Sequence, residues 1–396
     1  MRVLEIITVP FFEPRGTAFS SLERTRALSR MGHSVDVLAY PLGADVDIPG
    51  VRIHRIPPIP PVRSIPMGPS LAKLVFDLQL AVKTAWWLRR RGPWDLVHVH
   101  EEAAFWVAAL RPFHRGPVLY DMHSSLVEQL SNFGHGDNAV LRRIVAFLER
   151  LALRRADAVI VVCPELEARV RATAPAVPVQ LIENLQVEWE LPRPNEAEVS
   201  ALRTRYGLVG RPVILYSGTF GLNQGLELAV DAMRLVAAQR PEARLLLVGG
   251  VAEEIDRVRR HAADRGVPAS LIFAGRHPST AMPSFMALAD VLLSPRTRGT
   301  NTPLKIYSYL ASGKPIVATD LRAHTQVLTG DTAEIVPARP DALAAGIFRI
   351  LADPDRARAV GRAGQRLAET KFGPGRYHAQ LAAILDRVCP PAVGQR

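Results

Sequence analysis

Short runs of β-branched and other apolar residues recur along the chain, each followed by a stretch whose apolar positions fall three and four residues apart. The runs Val3–Thr8, Ser34–Ala39, Val51–Ile56, Leu96–His100, Val118–Asp121, Ala158–Val162 and Val179–Ile182 predict seven strands in the first half. Six more are predicted at Val213–Ser217, Arg244–Val248, Leu271–Ala274, Val291–Leu293, Ile316–Thr319 and Ala333–Val336. Helical spacing fills the gaps, for instance over Ser20–Arg30, Leu71–Arg91 and Asn138–Arg155. Near-continuous apolar strands alternating with helices are the pattern of parallel sheets covered on both faces.

A polar, proline-bearing stretch, Glu188 to Glu198, interrupts the alternation. It divides the chain into an expected first domain at residues 1–187, a linker at 188–210 and a second domain at 211–373, each an α/β, Rossmann-like, doubly wound sheet. The remaining residues, 374–396, carry Tyr377, Leu381 and Ile384 at helical spacing and are expected to pack back across the linker. Ligands of such sheets bind beyond the carboxyl ends of the strands, so two facing sheets place the expected site in the cleft between them.

Composition narrows the class. At 396 residues the chain exceeds what one core usually organises, and 48% hydrophobic with 22% charged residues is the balance of a globular protein. Its two cysteines, Cys163 and Cys389, cannot assemble a disulfide framework or a cysteine metal site, which fits a cytoplasmic setting. Neither a secretory signal nor a transmembrane helix is expected, because the apolar run from Leu74 to Leu88 is broken by Asp77, Gln79 and Lys83. The net charge of +11 is unevenly placed. Between Arg52 and Arg91 lie eight basic residues and a single acid, Asp77, beside the helical stripe Leu71, Leu74, Val75, Leu78 and Val82 with Trp86 and Trp87 near its end. This segment is expected to touch an anionic membrane peripherally on its inner face. Nucleic acid is not expected as a partner, since 44 of the 49 cations are arginine and the excess reads as a compositional bias.

Candidate chemistry lies at the strand ends. The first strand runs into a loop with Gly16 and Thr17 and then a helix from near Ser20, where a glycine and free N–H groups suit an anion; a plain turn glycine is the alternative. The loop is neither a Walker loop nor a GxGxxG fingerprint. His98, His100 and Glu101 end one strand, and Asp121 and His123 end the next. Imidazoles and carboxylates there can orient a sugar hydroxyl or share its proton. Strand alternation sends His98 and His100 to one face, but their spacing brings no third ligand, and no metal is expected.

In the second half Gly218, Thr219 and Gln224 follow a strand and precede a helix, and Gly249 ends another strand. Arg276 and His277 follow the strand ending near Gly275 and suit a flat base. The richest segment is ADVLLSPRTRGTNTPLKIYSYLASGKPIVATD, residues 289–320: a strand, a loop with Thr300, Asn301 and Thr302, then Pro303 as the expected first helical residue, Leu304 and Lys305, and a helix ending at Gly313. Its N–H groups, hydroxyls and Lys305 make an anion site.

Taken together, Gly16, the histidine of YDMHSS, Asn184 of LIEN, SGTFGLNQGLEL, LLLVGG and the run from FAGRHP through PLKIYSYLASGKPIVATD resemble the retaining glycosyltransferases of family four, often called group 1 glycosyltransferases, over essentially the whole chain. That resemblance implies the GT-B fold, a nucleotide diphosphate sugar as donor, a carbohydrate or lipid-linked acceptor on the first domain, retention at the anomeric carbon, and no obligatory metal or cofactor. It assigns Gly16 to the phosphates, His123 to the reacting sugar, Arg276 and His277 to the base, and Thr302 to Lys305 to the phosphate and sugar. Members of the family commonly carry two glutamates where this chain has Thr300 and Ser308, and an arginine and a lysine where it has Thr219 and Gln224. Neutral residues replace all four, leaving diphosphate neutralisation to Lys305, Arg296 or Arg298. The alternatives are a nucleotide-sugar epimerase using the same cleft and a catalytically degenerate nucleotide-binding subunit.

Overall fold

The computed structural model describes residues 1–13, 16–60, 62, 65, 70–132, 138–185 and 194–390. The chain forms two compact units, one made of residues 1–184 together with the chain from Gly375 onward, the other of residues 185–374.

In the first unit seven strands make one parallel sheet: β1 (Arg2–Ile7), β2 (Ser34–Ala39), β3 (Val51–Arg55), β4 (Leu96–His100), β5 (Val118–Met122), β6 (Ala158–Val161) and β7 (Val179–Leu181). Their order is β3-β2-β1-β4-β5-β6-β7. The direction of winding therefore reverses between β1 and β4, where an open parallel sheet leaves a crevice at its carboxyl edge. Around the sheet run α1 (Gly16–Arg30), α2 (Leu71–Arg90), α3 (Ala103–Leu110), α4 (Leu126–Asn132), α5 (Ala139–Arg155) and α6 (Pro164–Thr173). Helix α1 begins at Gly16, with φ +42°, four residues ahead of the position expected from the apolar spacing. Side chains reach the first turn from a glycine that tolerates the left-handed entry.

Two of these helices, α2 and α5, start on a side-chain cap. Ser70 accepts the N–H of Lys73 at 3.2 Å to open α2, and Asn138 accepts that of Leu141 at 3.0 Å to open α5. Phe76, Leu80, Trp87, Val107 and Leu153 from α2, α3 and α5 bury themselves against Leu4, Val97, Val99, Tyr120 and Val159 of the sheet. Trp87 and Trp94 stack with their rings 5.9 Å apart.

The second unit repeats the plan with β8 (Val213–Gly218), β9 (Arg244–Gly249), β10 (Leu271–Gly275), β11 (Val291–Ser294), β12 (Ile316–Thr319) and β13 (Glu334–Val336), ordered β10-β9-β8-β11-β12-β13, all parallel. Its switch point lies between β8 and β11. The helices are α7 (Glu196–Arg205), α8 (Leu226–Gln239), α9 (Ala252–Asp264), α10 (Met282–Leu288), α11 (Lys305–Ala311), α12 (Arg322–Thr325), α13 (Pro340–Ala352) and α14 (Pro354–Lys371). One apolar core lies on each face of this sheet.

Two expectations are corrected here. The stretch 188–210 is not all linker: Asn195 caps α7, accepting Glu198 N–H at 2.8 Å, and the helix packs on α10 of the same unit. Residues 188–193 of the expected linker lie outside the described residues, and from Glu196 the chain is a surface helix with acids in its first turn and arginines in its last. Helix α11 starts at Lys305, two residues beyond Pro303, which belongs to the loop before it.

The last helix, α15 (Pro374–Val388), belongs to the first unit. Tyr377 lies against the Arg24 guanidinium, 5.0 Å away, and Gln380 Nε2 donates to the carbonyl of Leu181 at 3.0 Å. Both cysteines are free. No helix among the described residues is long and apolar enough to cross a membrane.

Candidate active site

At the switch point of the first sheet, four strand residues, His123 just past β5 and one face of α1 form a buried charged cluster. Glu5 on β1 is paired in register with His98 on β4, and His100 with Asp121 on β5. Period-two alternation puts His98 and His100 on the same side, their rings 4.5 Å apart. On α1, Ser21, Arg24 and Thr25 share a face by their spacing of three and four. Arg24 Nε donates to Asp121 Oδ2 at 2.8 Å, Thr25 Oγ1 to Glu5 Oε2 at 2.7 Å, and Ser21 Oγ lies 3.3 Å from His100 Nδ1. His98 sits between the two carboxylates, 3.2 Å from Glu5 and 3.4 Å from Asp121, as charge approaches rather than aligned hydrogen bonds.

The charges settle one another. Burial would raise the Glu5 carboxyl, but hydrogen bonds and charge from His100 and His98 outweigh it and hold it at about 2. For Asp121 burial is likewise outweighed, chiefly by the Arg24 charge, and its pKa lies well below the ordinary value. Burial and the neighbouring His98 lower His100. His123 is pushed down to about 3, first by burial, and the positive field of His100 and Arg24 adds to that against Asp121. His123 is therefore a neutral imidazole at physiological pH.

The hydrogen bonds also assign its tautomer. His100 Nε2 donates to Glu5 at 2.8 Å, so His100 Nδ1 accepts, and His123 Nε2 at 3.0 Å is the donor. The lone pair of His123 is then on Nδ1. Two triads, Glu5 with His98 and His100, and His100 with Asp121 and His123, hold their ligand atoms within 4.8 Å. In the first triad Glu5 already accepts Thr25 and His100, and in the second Asp121 is paired with Arg24, which a cation there would have to displace.

Beside the cluster, Glu101 at the end of β4 is the one non-glycine residue with positive φ among the described residues, at +51°. Such a conformation stores on the order of 1–3 kcal/mol and is held by its surroundings. Ser124 Oγ reaches both carboxyl oxygens, at 3.0 and 3.1 Å, and burial followed by the neighbouring Glu102 raises the Glu101 pKa well above normal. Glu102 itself accepts Thr8 Oγ1 at 3.0 Å and pairs with Lys73 of α2 at 3.1 Å. Asn184 is buried just past β7.

The second unit gathers an equivalent edge around its own switch point. Gly249, with φ +118°, lies so close to β8 that a Cβ there would come 2.0 Å from the carbonyl oxygen of Gly218. Gly225, at φ +73°, fits equally tightly against the carbonyl of Pro295. These glycines let the loops after β8, β9 and β11 close on one another. Into this place projects Lys305, whose Nζ lies 3.5 Å over the Tyr216 ring and 3.4 Å from Gln224 Oε1. Arg296 donates to the carbonyls of Arg298 at 2.7 Å and Asn301 at 2.9 Å. Among the described residues no carboxylate lies within ion-pair distance of either cation. Burial, with Arg296 adding to it, lowers the Lys305 pKa well below normal.

The rest of the loop is braced from behind. Gln326 Nε2 donates to the Thr300 carbonyl at 2.8 Å and to Thr302 Oγ1 at 2.9 Å. Ser308 is buried on the first face of α11, while Thr302 and Pro303 are buried ahead of it. At the end of β10 Arg276 is exposed, whereas His277 is engaged with Tyr206 Oη at 3.1 Å and the edge of Phe285.

A family model for the glycosyl transferase 4-like domain matches residues 15–184, and one for group 1 glycosyl transferases matches residues 211–353. Each falls on one of the two sheets just described. The chain is a group 1 glycosyltransferase. Among its relatives, the transferase is 27% identical over 377 residues to the phosphatidyl-myo-inositol mannosyltransferase of Mycolicibacterium smegmatis, covering 93% of this chain and 89% of that one. It is 29% identical over 382 residues to the 2-deoxystreptamine glucosyltransferase of Streptomyces kanamyceticus, covering 92% and 96%. A GDP-mannose-dependent monomannoside mannosyltransferase of M. smegmatis is 31% identical over 249 residues, a match that spans 60% of this chain and 65% of that protein. Of solved structures, the sucrose-phosphate synthase of Thermosynechococcus elongatus superposes with a TM-score of 0.80 at 23% identity over 98% of both chains. HepE of Anabaena, solved in complex with UDP, superposes at 0.75 and 18% identity over 98% of this chain and 100% of that one. These superpositions show that the transferase has the GT-B fold.

Sequence reasoning missed Glu5, Arg24 and Tyr216. The signal for Glu5 was a single acid inside an otherwise apolar strand. Arg24 and Tyr216 gave none, being an arginine on a helix and a tyrosine in a buried run.

His324 offers a separate test of the second unit. It is fully buried, its Nδ1 donating to the Thr319 carbonyl at 2.8 Å while Nε2 lies 2.8 Å from Ser294 Oγ. Burial foremost, against the Thr319 bond, pushes its pKa down to about 4. Below the ordinary value of 6.5 the unfolded imidazole takes up a proton that the folded one refuses. Stability is thus flat above that pH and falls towards pH 4 by about 1.4 kcal/mol per pH unit from this group. In denaturant titrations, His324→Gln should lose less stability than the wild type over that window, and parallel curves would exclude this account.

Proposed function

We infer that the transferase moves a sugar from a nucleoside diphosphate sugar to an acceptor hydroxyl, with retention at the anomeric carbon and without a metal or other cofactor. The observation that carries this reading is the pair of sunken cations, Lys305 and Arg296, beside glycine-tightened loops at the switch point of the second sheet. A diphosphate supplies the negative charge that they lack, and its binding and the protonation of Lys305 reinforce each other. Two fixed protein cations take the part that a divalent ion plays in many other sugar transfers. Names of relatives add support, since the mannosyltransferases and the glucosyltransferase are sugar transferases and HepE was solved with UDP.

In the reaction the bond between the anomeric carbon and the phosphate oxygen breaks, and a bond to the acceptor oxygen forms on the same face. The acceptor's proton passes to the departing phosphate. Gly16, Thr17, Asn184, Gly218, Thr219, Gln224, Gly249 and the Thr300–Lys305 loop hold the donor, with Arg276 and His277 at the base and Ser308 at the ribose. His123 receives a sugar hydroxyl on its Nδ1 lone pair, and Asp121 holds the cluster that orients it. His98, His100 and Glu101 serve the acceptor side.

The acceptor in this reading is carbohydrate or lipid-linked, and the protein works in the cytoplasm as a peripheral partner of an anionic membrane. Support for the membrane comes from α2, on which Leu71, Leu74, Leu78 and Val82 are each more than 60% exposed and Arg89 and Arg90 lie at the end. Calorimetric titration with a panel of nucleoside diphosphates, followed by transfer assays with the sugar conjugates of the tightest, tests the reading. It expects one nucleotide bound without added metal and a product whose anomeric coupling, read by NMR, equals that of the donor. No nucleotide binding at all would overturn it.

A further inference from the structure

Helix α2 is not alone in presenting an apolar stripe. On α5, Val140, Ile144 and Phe147 are 66%, 51% and 63% exposed, at the four- and three-residue spacing that places them on one line of the helix. Both helices lie beside α3 on the same face of the first sheet. All three exposed apolar residues of α5 fall in its first nine positions, and four of those on α2 fall in its first eight. Both helices end a few residues ahead of the next parallel strand, β4 or β6, and so at the amino edge of the sheet, which leaves both apolar ends towards the edge that holds His123 and Glu101.

The charge around the stripes is of one sign. At about 100° per residue, Arg143, Arg150 and Arg154 flank the α5 stripe within a quarter-turn, and Arg89 continues the α2 stripe. Each helix has a single acid and turns it inward. Asp77 pairs with Lys73 at 3.3 Å, and Glu149 accepts Ser125 Oγ at 3.0 Å and the Leu126 N–H at 3.0 Å. What is left outward is apolar surface bordered by guanidinium groups.

We propose that α2 and α5 together form a two-pronged seat for an anionic lipid bilayer, with the recessed α3 between them and the carboxyl edge of the first sheet turned to the lipid headgroups. A second copy of this chain does not suit the surface, because a two-fold contact would set arginines against arginines. An anionic bilayer satisfies both halves of it, taking the side chains into the interface and the guanidinium groups among phosphates. Seated on two helices, the unit is fixed in tilt as well as in depth, which a single amphipathic helix does not achieve. The seat rests on the membrane contact inferred above for α2 and extends it to a second element.

The test attaches an environment-sensitive nitrobenzoxadiazole fluorophore to Leu78→Cys on α2, Phe147→Cys on α5, or Val209→Cys on the second unit, in a Cys389→Ser background that leaves only the buried Cys163. With vesicles of phosphatidylglycerol and phosphatidylcholine at low salt, the labels at 78 and 147 should both brighten, and the one at 209 should not. Both responses should fade in pure phosphatidylcholine and at high salt. Ile144→Asp with Phe147→Asp should weaken vesicle sedimentation about tenfold while nucleotide affinity, to which no residue of α5 is assigned, stays unchanged. A silent label at 147 beside a responsive one at 78 would overturn the two-pronged seat and leave the α2 contact standing. Silence at both would overturn the membrane contact itself, and brightening at 147 with protein concentration in the absence of lipid would assign the face to self-association instead.

Discussion

His123→Ala is expected to lower kcat by at least about tenfold, the effect of losing a hydrogen bond worth about 1.5 kcal/mol that orients the reacting sugar. The expectation rests on proton bookkeeping. Glu5 stays ionised, His100 donates to it, and His123 donates in turn to His100, so His123 is locked as a neutral ring with a lone pair on Nδ1. A ring so fixed accepts a hydrogen bond from a sugar hydroxyl without first losing a proton of its own. Alanine removes the acceptor and leaves Ser21 Oγ, 3.3 Å away, beside His100 Nδ1. The loss should fall on kcat rather than on nucleotide affinity, because His123 is assigned to the sugar and not to the nucleotide. Because the His123 pKa lies near 3, the wild-type kcat profile should also show no acid limb near pH 6.5 from this residue. Unaltered kcat in the alanine variant would remove His123 from the reaction.

Lys305→Ala should weaken nucleoside diphosphate binding about ten- to a hundredfold, since charge-assisted bonds contribute roughly 1.5–3 kcal/mol each. The structure adds a second, opposite expectation. Lys305 is sunk against Tyr216 and Gln224 with no carboxylate near it, and its lowered pKa records the cost of a charge kept out of water. Lys305→Met, which keeps the stem and discards the charge, should therefore raise the unfolding midpoint of the nucleotide-free protein while lowering affinity as alanine does. A stability gain coupled to a functional loss is the mark of a group kept for its ligand. If calorimetry gave equal affinities for wild type and both variants, the diphosphate would have to be neutralised elsewhere.

The fold was legible because each strand is a local apolar run; all thirteen expected segments coincide with observed strands to within a residue or so at each end. The shared face of His98 and His100 was legible from alternation. What escaped was anything fixed by distance in space. Arg24 and Asp121 stand 97 positions apart in the chain, and no spacing rule links a helix arginine to a strand aspartate. The neutral surroundings of Lys305, namely Gln224 and the Tyr216 ring, escaped for the same reason, because they are a property of the neighbours and not of the residue. Helix starts were shifted wherever backbone geometry, rather than apolar spacing, decides entry: at Gly16, which turns into α1 early, and at Pro303, which holds α11 back until Lys305.

The return of α15 to the first unit has a consequence for the order in which the protein is made. Residues 185–374 are one continuous stretch and are complete once they leave the ribosome, whereas the first unit must wait for a helix encoded after all of them. Until then Arg24 lacks the ring of Tyr377, and the Leu181 carbonyl lacks the amide of Gln380. A nascent chain thus finishes its later-made half first, and a chain that stops just after Pro374 carries a whole second sheet beside a buried charged cluster whose Arg24 has not yet met Tyr377.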